Sequence, residues 1–229
     1  MPYVVRPMRL EDIDEVSVVE RECFSTPWPS HAYRREIRDN RLSRYAVIAW
    51  RDVDAPASSP APAINARGGE DTPLSGVKRA FSQIFRPFGV SGSQPHEPSA
   101  EQVVGFVGLW LVLDEGHITT ICVAQRFRGK GLGEVLLSHI MNEAQSLGAR
   151  RVTLEVRVTN DVAQALYRKH GFTVEGIRRR YYSDNNEDAF IMWSDALSKP
   201  EYAQRLAEIR AAALARVGEI SFEPAGEGV

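Results

Sequence analysis

Residues 126–133, RFRGKGLG, combine three glycines with three cations in eight positions. An aliphatic run typical of a strand precedes them, and apolar residues at helical spacing follow. Where a strand, a loop and a helix succeed one another, the free N–H groups of the first helical turn and the helix dipole attract an anion. Glycine lets the backbone approach that anion closely. The stretch therefore predicts a phosphate-binding loop.

The sequence excludes two common kinds of phosphate loop. No Lys-Ser or Lys-Thr pair follows the glycines, as a nucleoside triphosphate loop requires, and no acidic residue follows a parallel strand at the dinucleotide position. Taken alone, the glycine spacing also fits the start of an ordinary helix. The residues by themselves leave both interpretations open.

The elements around the loop predict a mixed α/β domain. Apolar and polar residues alternate in RVTLEVRV (residues 151–158), which places Glu155 on the polar face of a strand. A turn at DEG predicts that two aliphatic runs form an antiparallel hairpin. The predicted order is helix, helix, strand, strand, strand, helix, strand, helix, strand, strand, and then a C-terminal helix with a frayed tail in residues 198–229.

Residues 52–101 differ in composition from the rest of the chain. They hold seven of the 13 prolines and many serines and glycines, which predicts a mostly disordered insertion in a domain that spans residues 1–197. Within it, residues 74–88 have the spacing of a short amphipathic helix. Docking on the rest of the chain, on a partner or on an anionic membrane remain alternatives, and the partner is unknown.

Composition limits the classes of function. Net charge is −2, so no general attraction to nucleic acid is expected, and no apolar run reaches the roughly 18 residues of a membrane span. The start lacks a signal-peptide pattern, which favours a cytoplasmic protein. Cys23 and Cys122 have apolar neighbours and are expected to pack separately as free thiols in a reducing compartment. The five histidines lack metal-ligand spacing, so no metal is expected.

The pattern Arg126-x-x-Gly129-x-Gly131 resembles the pyrophosphate loop of the GNAT superfamily of N-acetyltransferases. Six further segments resemble the bacterial ribosomal-protein-alanine N-acetyltransferases of the RimI type. In sequence order they are TPWPS near the start, ICV just before the loop, and then LEVRVTN, ALYRKHGF, RRRYY and EDAFIMW. The resemblance covers residues 2–50 and 102–197. It does not extend to the insertion or the C-terminal helix.

The resemblance implies a central, mostly antiparallel twisted sheet flanked by helices, with strands that splay at an acetyl-CoA site. Acetyl-CoA is then the implied cosubstrate, bound through its pyrophosphate. The implied coenzyme contacts are Ile121, Val123, Arg126, Arg128, Gly129, Lys130, Gly131, Leu132, Gly133, Asn160 and Tyr167. From the residues alone, Arg128 and Lys130 also fit solvated loop cations.

Acetyl transfer to an amine needs a base for the amine and an acid for the leaving thiolate. The resemblance implies that Glu155 is the base, directly or through water, and that Tyr167 is the acid. The alternatives are a solvated strand glutamate and a tyrosine packed beneath the sheet. Tyr181, Tyr182 and Trp28 are the implied substrate contacts, against plain packing roles for all three.

The implied substrate is a protein N-terminus, with the alanine end of a ribosomal protein as the first candidate. An acetyltransferase for other protein termini, lysines or small amines is the second reading, and a non-catalytic acyl-CoA-binding module is the third. Sequence alone does not fix the true substrate, the oligomeric state or the role of the insertion.

Overall fold

Helices and strands follow one another in the predicted order over most of the chain. The computed structural model describes residues 2–40, 42–51 and 101–224, and residues 1–53 with 101–229 form one compact unit. The elements are β1 (Tyr3–Pro7), α1 (Ile13–Cys23), α2 (Ser30–Asp39), β2 (Ser43–Arg51), β3 (Glu101–Val112), β4 (Glu115–Val123), α3 (Leu132–Ser146), β5 (Arg151–Arg157), α4 (Asp161–Lys169), β6 (Thr173–Tyr182), β7 (Glu187–Trp193), α5 (Pro200–Val217) and β8 (Ile220–Phe222).

One sheet carries the described strands, in the order β6-β7-β5-β4-β3-β2-β1-β8. Pairing is antiparallel except between β4 and β5 and between β1 and β8. The predicted hairpin is present, since β3 turns into β4 after Val112. The mixed, mostly antiparallel sheet expected from the resemblance is therefore confirmed.

Helices cover both faces of this sheet. A Cβ on Gly105 would lie 3.2 Å from Leu136 of α3, whereas the ring of the next residue, Phe106, lies 6.0 Å from that of Tyr33 in α2. Successive residues of a strand point to opposite faces, so α3 and α2 pack on opposite sides. Among the described helices, none combines the length and the apolar character that a membrane span needs.

The two ends of the chain differ from the sequence prediction. Strand β1 was not predicted, and within the tail that was predicted to fray, Ile220–Phe222 form β8 after α5 and pair in parallel with β1. The prediction for residues 225–229 lies outside the described residues. Two ion pairs join Glu223, just after β8, to Arg9 and Arg51. Strand pairing and charge pairing across the whole length of the chain, which local propensity does not reveal, order this tail.

The prediction that the two cysteines pack separately as free thiols was wrong. A disulfide joins Cys23, the last residue of α1, to Cys122 near the end of β4, with their Cα atoms 6.3 Å apart. Cys122 is buried at 5% exposure, as expected, whereas Cys23 is partly exposed. Their separation of 99 positions hid the contact, because spacing in sequence does not show which side chains a sheet brings together.

The predicted disordered insertion and its amphipathic helix lie outside the described residues, so both stay predictions. Its two flanks are described. Arg51 and Glu101 face each other in the β2–β3 register, and their side chains form an ion pair. The two strands are thus already held together where the insertion begins and ends.

Deleting residues 55–98 is expected to leave coenzyme binding and peptide acetylation within about threefold of the full chain. The remaining five residues between Arg51 and Glu101 match the length of a common hairpin loop. Isothermal titration with coenzyme A and a peptide acetylation assay would measure both quantities. Loss of transfer to a short peptide, with the circular dichroism spectrum unchanged, would show that the insertion belongs to the active site.

Candidate active site

The glycine-rich loop leads from β4 to α3 through two left-handed glycines. Gly129 has φ of +77° and Gly131, the N-cap of α3, has φ of +94°. L-residues with a side chain rarely adopt these angles, so the loop path requires glycine at both positions. Leu132 and Gly133 form the first turn of α3, where backbone N–H groups have no helical partner. The loop has the backbone geometry of an anion site.

The three loop cations adopt two arrangements. The Arg126 guanidinium and the Lys130 ammonium lie 4.8 and 5.1 Å from the centre of the Phe127 ring. Arg128 instead turns back onto β4, where its Nε donates to the Val123 carbonyl at 2.9 Å. Arg126 and Lys130 are therefore fixed beside the loop by one aromatic ring, and Arg128 ties the loop to the strand.

β4 and β5 pair over only part of their length and separate on the side of the glycine-rich loop. They pair in parallel only from Glu115–Arg151 to Ile118–Leu154, although β4 continues to Val123. The predicted coenzyme contacts Ile121 and Val123 lie in this separated part. An opening between two strands presents backbone groups to an extended ligand that binds as an added strand.

Glu155 of β5 is buried and paired on both carboxylate oxygens. Its side chain is 6% exposed; Oε2 lies 2.7 Å from His117 Nε2, and Oε1 lies 3.1 Å from a guanidinium nitrogen of Arg178. His117 comes from β4 and Arg178 from β6. The alternative of a freely solvated strand glutamate does not fit these contacts.

Two opposing effects act on the pKa of Glu155. Burial alone raises the pKa of this carboxyl, but the hydrogen bond and electrostatic interaction with His117, together with the charge of Arg178, outweigh it, so the pKa lies below its usual value. Glu155 is thus a carboxylate at neutral pH. The His117 side chain, at 30% exposure, is the more accessible member of the pair.

Tyr167 of α4 is buried beside the site. It is 5% exposed, and its ring lies 5.9 Å from that of Phe172. Burial raises the pKa of its phenol, and the neighbouring Tyr182 raises it further. Tyr167 therefore keeps its proton at neutral pH and sits close to one of the predicted substrate contacts. Its packing against Phe172 agrees with the structural role as well as with the catalytic one.

The paired tyrosines Tyr181 and Tyr182 meet edge to face, with ring centres 5.2 Å apart. Arg178 lies 5.6 Å from the Tyr181 ring, and Arg157 lies 3.8 Å from the Tyr182 ring. The pKa of Tyr181 is raised by burial and then by the charge of Glu155, which places its phenol near that carboxylate. Tyr181, at 44% exposure, is the open side of this cluster.

Trp28 lies in the segment between α1 and α2, on the face of the sheet that α2 covers. Its ring centre is 5.7 Å from Tyr33 and 6.0 Å from Trp110, and its backbone N–H donates to Glu20 Oε1. These contacts agree with a core anchor. Because the side chain is also partly exposed, its predicted contact with the substrate stays a prediction.

Asn160 has a local structural role. As the N-cap of α4, its Oδ1 accepts from the Ala163 N–H at 3.1 Å. This contact fixes the start of the helix that carries Tyr167. Its predicted contact with the coenzyme stays a prediction.

Two partners of Glu155 were not predicted as site residues. His117 was considered only as one of five histidines without metal-ligand spacing, and Arg178 was assigned no role. The only signal in the sequence was alternation along GHITTICV, because the register of β4 against β5 decides that His117 reaches Glu155. In residues 2–40, 42–51 and 101–224, no cluster of His, Cys, Asp or Glu is placed to hold a metal ion.

Comparison with known proteins identifies one family and several relatives of this chain. The model of the acetyltransferase (GNAT) family matches residues 90–172. A Bacillus subtilis protein assigned as a ribosomal protein bS18-alanine N-acetyltransferase is 33% identical over 189 residues, which cover 82% of this chain and 93% of that protein. The enzyme of that name from Salmonella typhimurium is 39% identical over 94 residues, 40% of this chain and 64% of its own length.

Solved structures share the fold. The crystal structure of the ribosomal-protein-S18-alanine N-acetyltransferase from Escherichia coli aligns with a TM-score of 0.58 at 22% identity, over 86% of this chain and 95% of that one. This similarity confirms the fold expected from the motifs. Together with the Bacillus subtilis relative, which aligns over most of both chains, it shows that this chain belongs to the acetyltransferase (GNAT) family and is an N-acetyltransferase.

Proposed function

We propose that this enzyme transfers an acetyl group from acetyl-CoA to the α-amine of a protein, and that its substrate is the N-terminal alanine of a ribosomal protein such as bS18. The observation that carries the proposal is the buried Glu155, paired with His117 at the opening between β4 and β5. The Bacillus subtilis and Salmonella typhimurium relatives bear the name of that reaction. A ribosomal substrate also favours a cytoplasmic site of action.

The chain's own residues fit the coenzyme. Gly129, Gly131 and the first turn of α3 present N–H groups to a pyrophosphate, with Arg126 and Lys130 beside them. The backbone of Ile121 and Val123 lines the opening through which the pantetheine arm would reach the sheet. Acetyl-CoA supplies the activated acetyl thioester; no other cofactor enters the proposal.

The Glu155–His117 pair would accept the amine's proton. Because the pKa of Glu155 is lowered, this carboxylate is a weak base on its own. His117 is more exposed and can take the proton while Glu155 stabilises the resulting imidazolium. The freed amine attacks the thioester carbon, the carbon–sulfur bond breaks, and Tyr167 donates its proton to the departing thiolate. The nitrogen then loses its surplus proton, which restores the Tyr167 phenol directly or through solvent and leaves a neutral amide. The Val123 N–H would polarise the thioester carbonyl.

The strength of this base favours a chain terminus over a lysine. An α-amine has a reference pKa near 8 and a lysine amine near 10.4, so presenting a neutral lysine amine at pH 7 costs about 3.3 kcal/mol more. The Glu155–His117 pair, whose carboxylate has a lowered pKa, does not offset this free-energy cost. Tyr181, Tyr182 and Trp28, the substrate contacts that the resemblance implies, would then hold the first residues of the peptide.

A pair of matched peptides tests the proposal. One has a free N-terminal alanine and no lysine; the other has a blocked N-terminus and an internal lysine. Mass spectrometry after incubation with acetyl-CoA should show acetylation of the first peptide and little of the second. Transfer confined to the lysine peptide would refute the assignment of the α-amine. Coenzyme binding without turnover on either peptide would instead favour a non-catalytic module.

A further inference from the structure

The disulfide joins two elements that border the proposed active site. Cys23 ends α1, and Cys122 lies in β4, one residue before Val123. The chain contains two cysteines in total, so this is the one intramolecular disulfide that it can form. Residues 24–29, which follow Cys23 directly, form the groove lip, so named because they include Trp28, a predicted contact of the peptide.

The two sulfurs differ in their surroundings. Cys23 is partly exposed, and a guanidinium nitrogen of Arg128 lies 3.2 Å from its Sγ, whereas Cys122 is 5% exposed. Positive charge beside a sulfur stabilises its thiolate, which is the reactive form in thiol–disulfide exchange. Cys23 is therefore the sulfur that an external thiol or disulfide reaches, and Cys122 is the internal partner.

The fold also accommodates the reduced state. Cys23 Sγ lies 3.6 Å from the Val123 carbonyl oxygen, and Cys122 Sγ lies 3.5 Å from the Val19 carbonyl oxygen. On reduction each new S–H group has a carbonyl acceptor within reach, so neither thiol needs to remain an unsatisfied donor. Both redox states are thus compatible with the surrounding backbone.

The groove lip connects this pair to the peptide side of the site. Its Ser25 hydroxyl hydrogen-bonds the Asp184 carboxylate in the β6–β7 turn, and its Trp28 ring packs 6.0 Å from Trp110. The disulfide anchors the start of the lip to β4, the strand that borders the coenzyme. Cutting that bond removes one of the contacts that hold the lip in place, while the bond of Phe24 N–H to the Glu20 carbonyl and the contacts with Asp184 and Trp110 remain.

We propose that Cys23 and Cys122 form a reversible thiol–disulfide exchange site that takes low-molecular-weight thiols and disulfides of the glutathione class, and that its oxidised state holds the groove lip for the peptide. The Cys23 thiolate attacks oxidised glutathione and releases one glutathione thiolate. The Cys122 thiolate then displaces the second glutathione and closes the protein disulfide, so two protein thiols lose two electrons and two protons. This regulation rests on the proposed function of the same site.

Peptide acetylation by the full chain in glutathione buffers of graded redox ratio tests the proposal. Reduction is expected to raise KM for the peptide by about fivefold, the cost of ordering one or two extra side chains, with kcat within about twofold. Alkylation and mass spectrometry report the fraction of disulfide in each buffer. Cys23→Ser and Cys122→Ser should both show the high KM in every buffer, because neither can form the bond.

Three results would overturn the exchange site: equal KM in the oxidised and reduced wild type, a redox response that persists in Cys23→Ser, or two alkylatable thiols in excess oxidised glutathione. Failure of the proposed function gives a different result, namely no acetylation in either redox state. In that case, alkylation and the peptide Kd from calorimetry, compared between the two states, still decide for or against the exchange site.

Discussion

Replacing Glu155 with Gln is expected to lower kcat for peptide acetylation about 10²-fold at pH 7, the lower end of the range for a positioned base. Gln keeps the shape of the side chain but carries no charge to stabilise the His117 imidazolium or to balance Arg178. Coenzyme affinity should hardly change, since the anion loop is untouched. Steady-state rates and calorimetry with coenzyme A measure the two quantities.

The pH profile separates a catalytic loss from a folding defect. In the wild type, the lowered pKa keeps Glu155 charged through the neutral range, and its contribution is lost only as the pH falls through that lowered value. In the Gln variant, the substrate amine must lose its proton to solvent, so the deficit should shrink towards pH 9, above the reference pKa of an α-amine. Glu175→Gln, which removes an exposed glutamate paired with Arg151, is the matched control.

His117 decides between two roles for Glu155. If His117 accepts the proton, His117→Gln should lose about as much activity as Glu155→Gln, and the double variant should lose little more, because the two residues act as one unit. If Glu155 accepts the proton itself or through water, the His117 variant should retain most of its activity.

Replacing Tyr167 with Phe is expected to slow acetyl transfer by about 10²–10⁴-fold while coenzyme affinity stays within about threefold. The raised pKa keeps the phenol protonated throughout the working range, so the variant removes a proton donor and leaves the ring that packs on Phe172. Single-turnover rates measured by rapid quench report the transfer step directly.

Tyr202→Phe provides the matched control for this variant. Tyr202 is equally buried, at 5% exposure, its hydroxyl donates to the His170 carbonyl at 2.7 Å, and it is not among the predicted site residues. It should lose thermal stability but little activity. A wild-type rate in Tyr167→Phe would reassign Tyr167 to packing.

Local patterns predicted much of the fold. Alternation in β5 and helical spacing in α3 are statements about neighbours in sequence, and each of these elements buries its apolar face as predicted. The three-residue β8 carries too little pattern to be recognised. Its pairing with β1 is decided by residues more than 200 positions away.

The candidate site shows the same limit. Sequence resemblance selected Glu155 and Tyr167, because each lies within a recognisable motif. The charges that set the pKa of Glu155 come from β4 and β6, and only the register of the sheet brings His117 and Arg178 to it. The disulfide was missed for a related reason: expected burial of each cysteine says nothing about whether the two side chains meet.

The C-terminal strand β8 has a further consequence for β1. A strand at the border of a sheet presents unpaired N–H and C=O groups that another chain can use for pairing. By lying alongside Tyr3, Val4 and Val5, the short β8 occupies these groups, and the ion pairs of Glu223 hold it there. At this border the sheet thus ends in a strand of three residues in place of the five of β1, and so short a border strand offers another chain few groups for pairing.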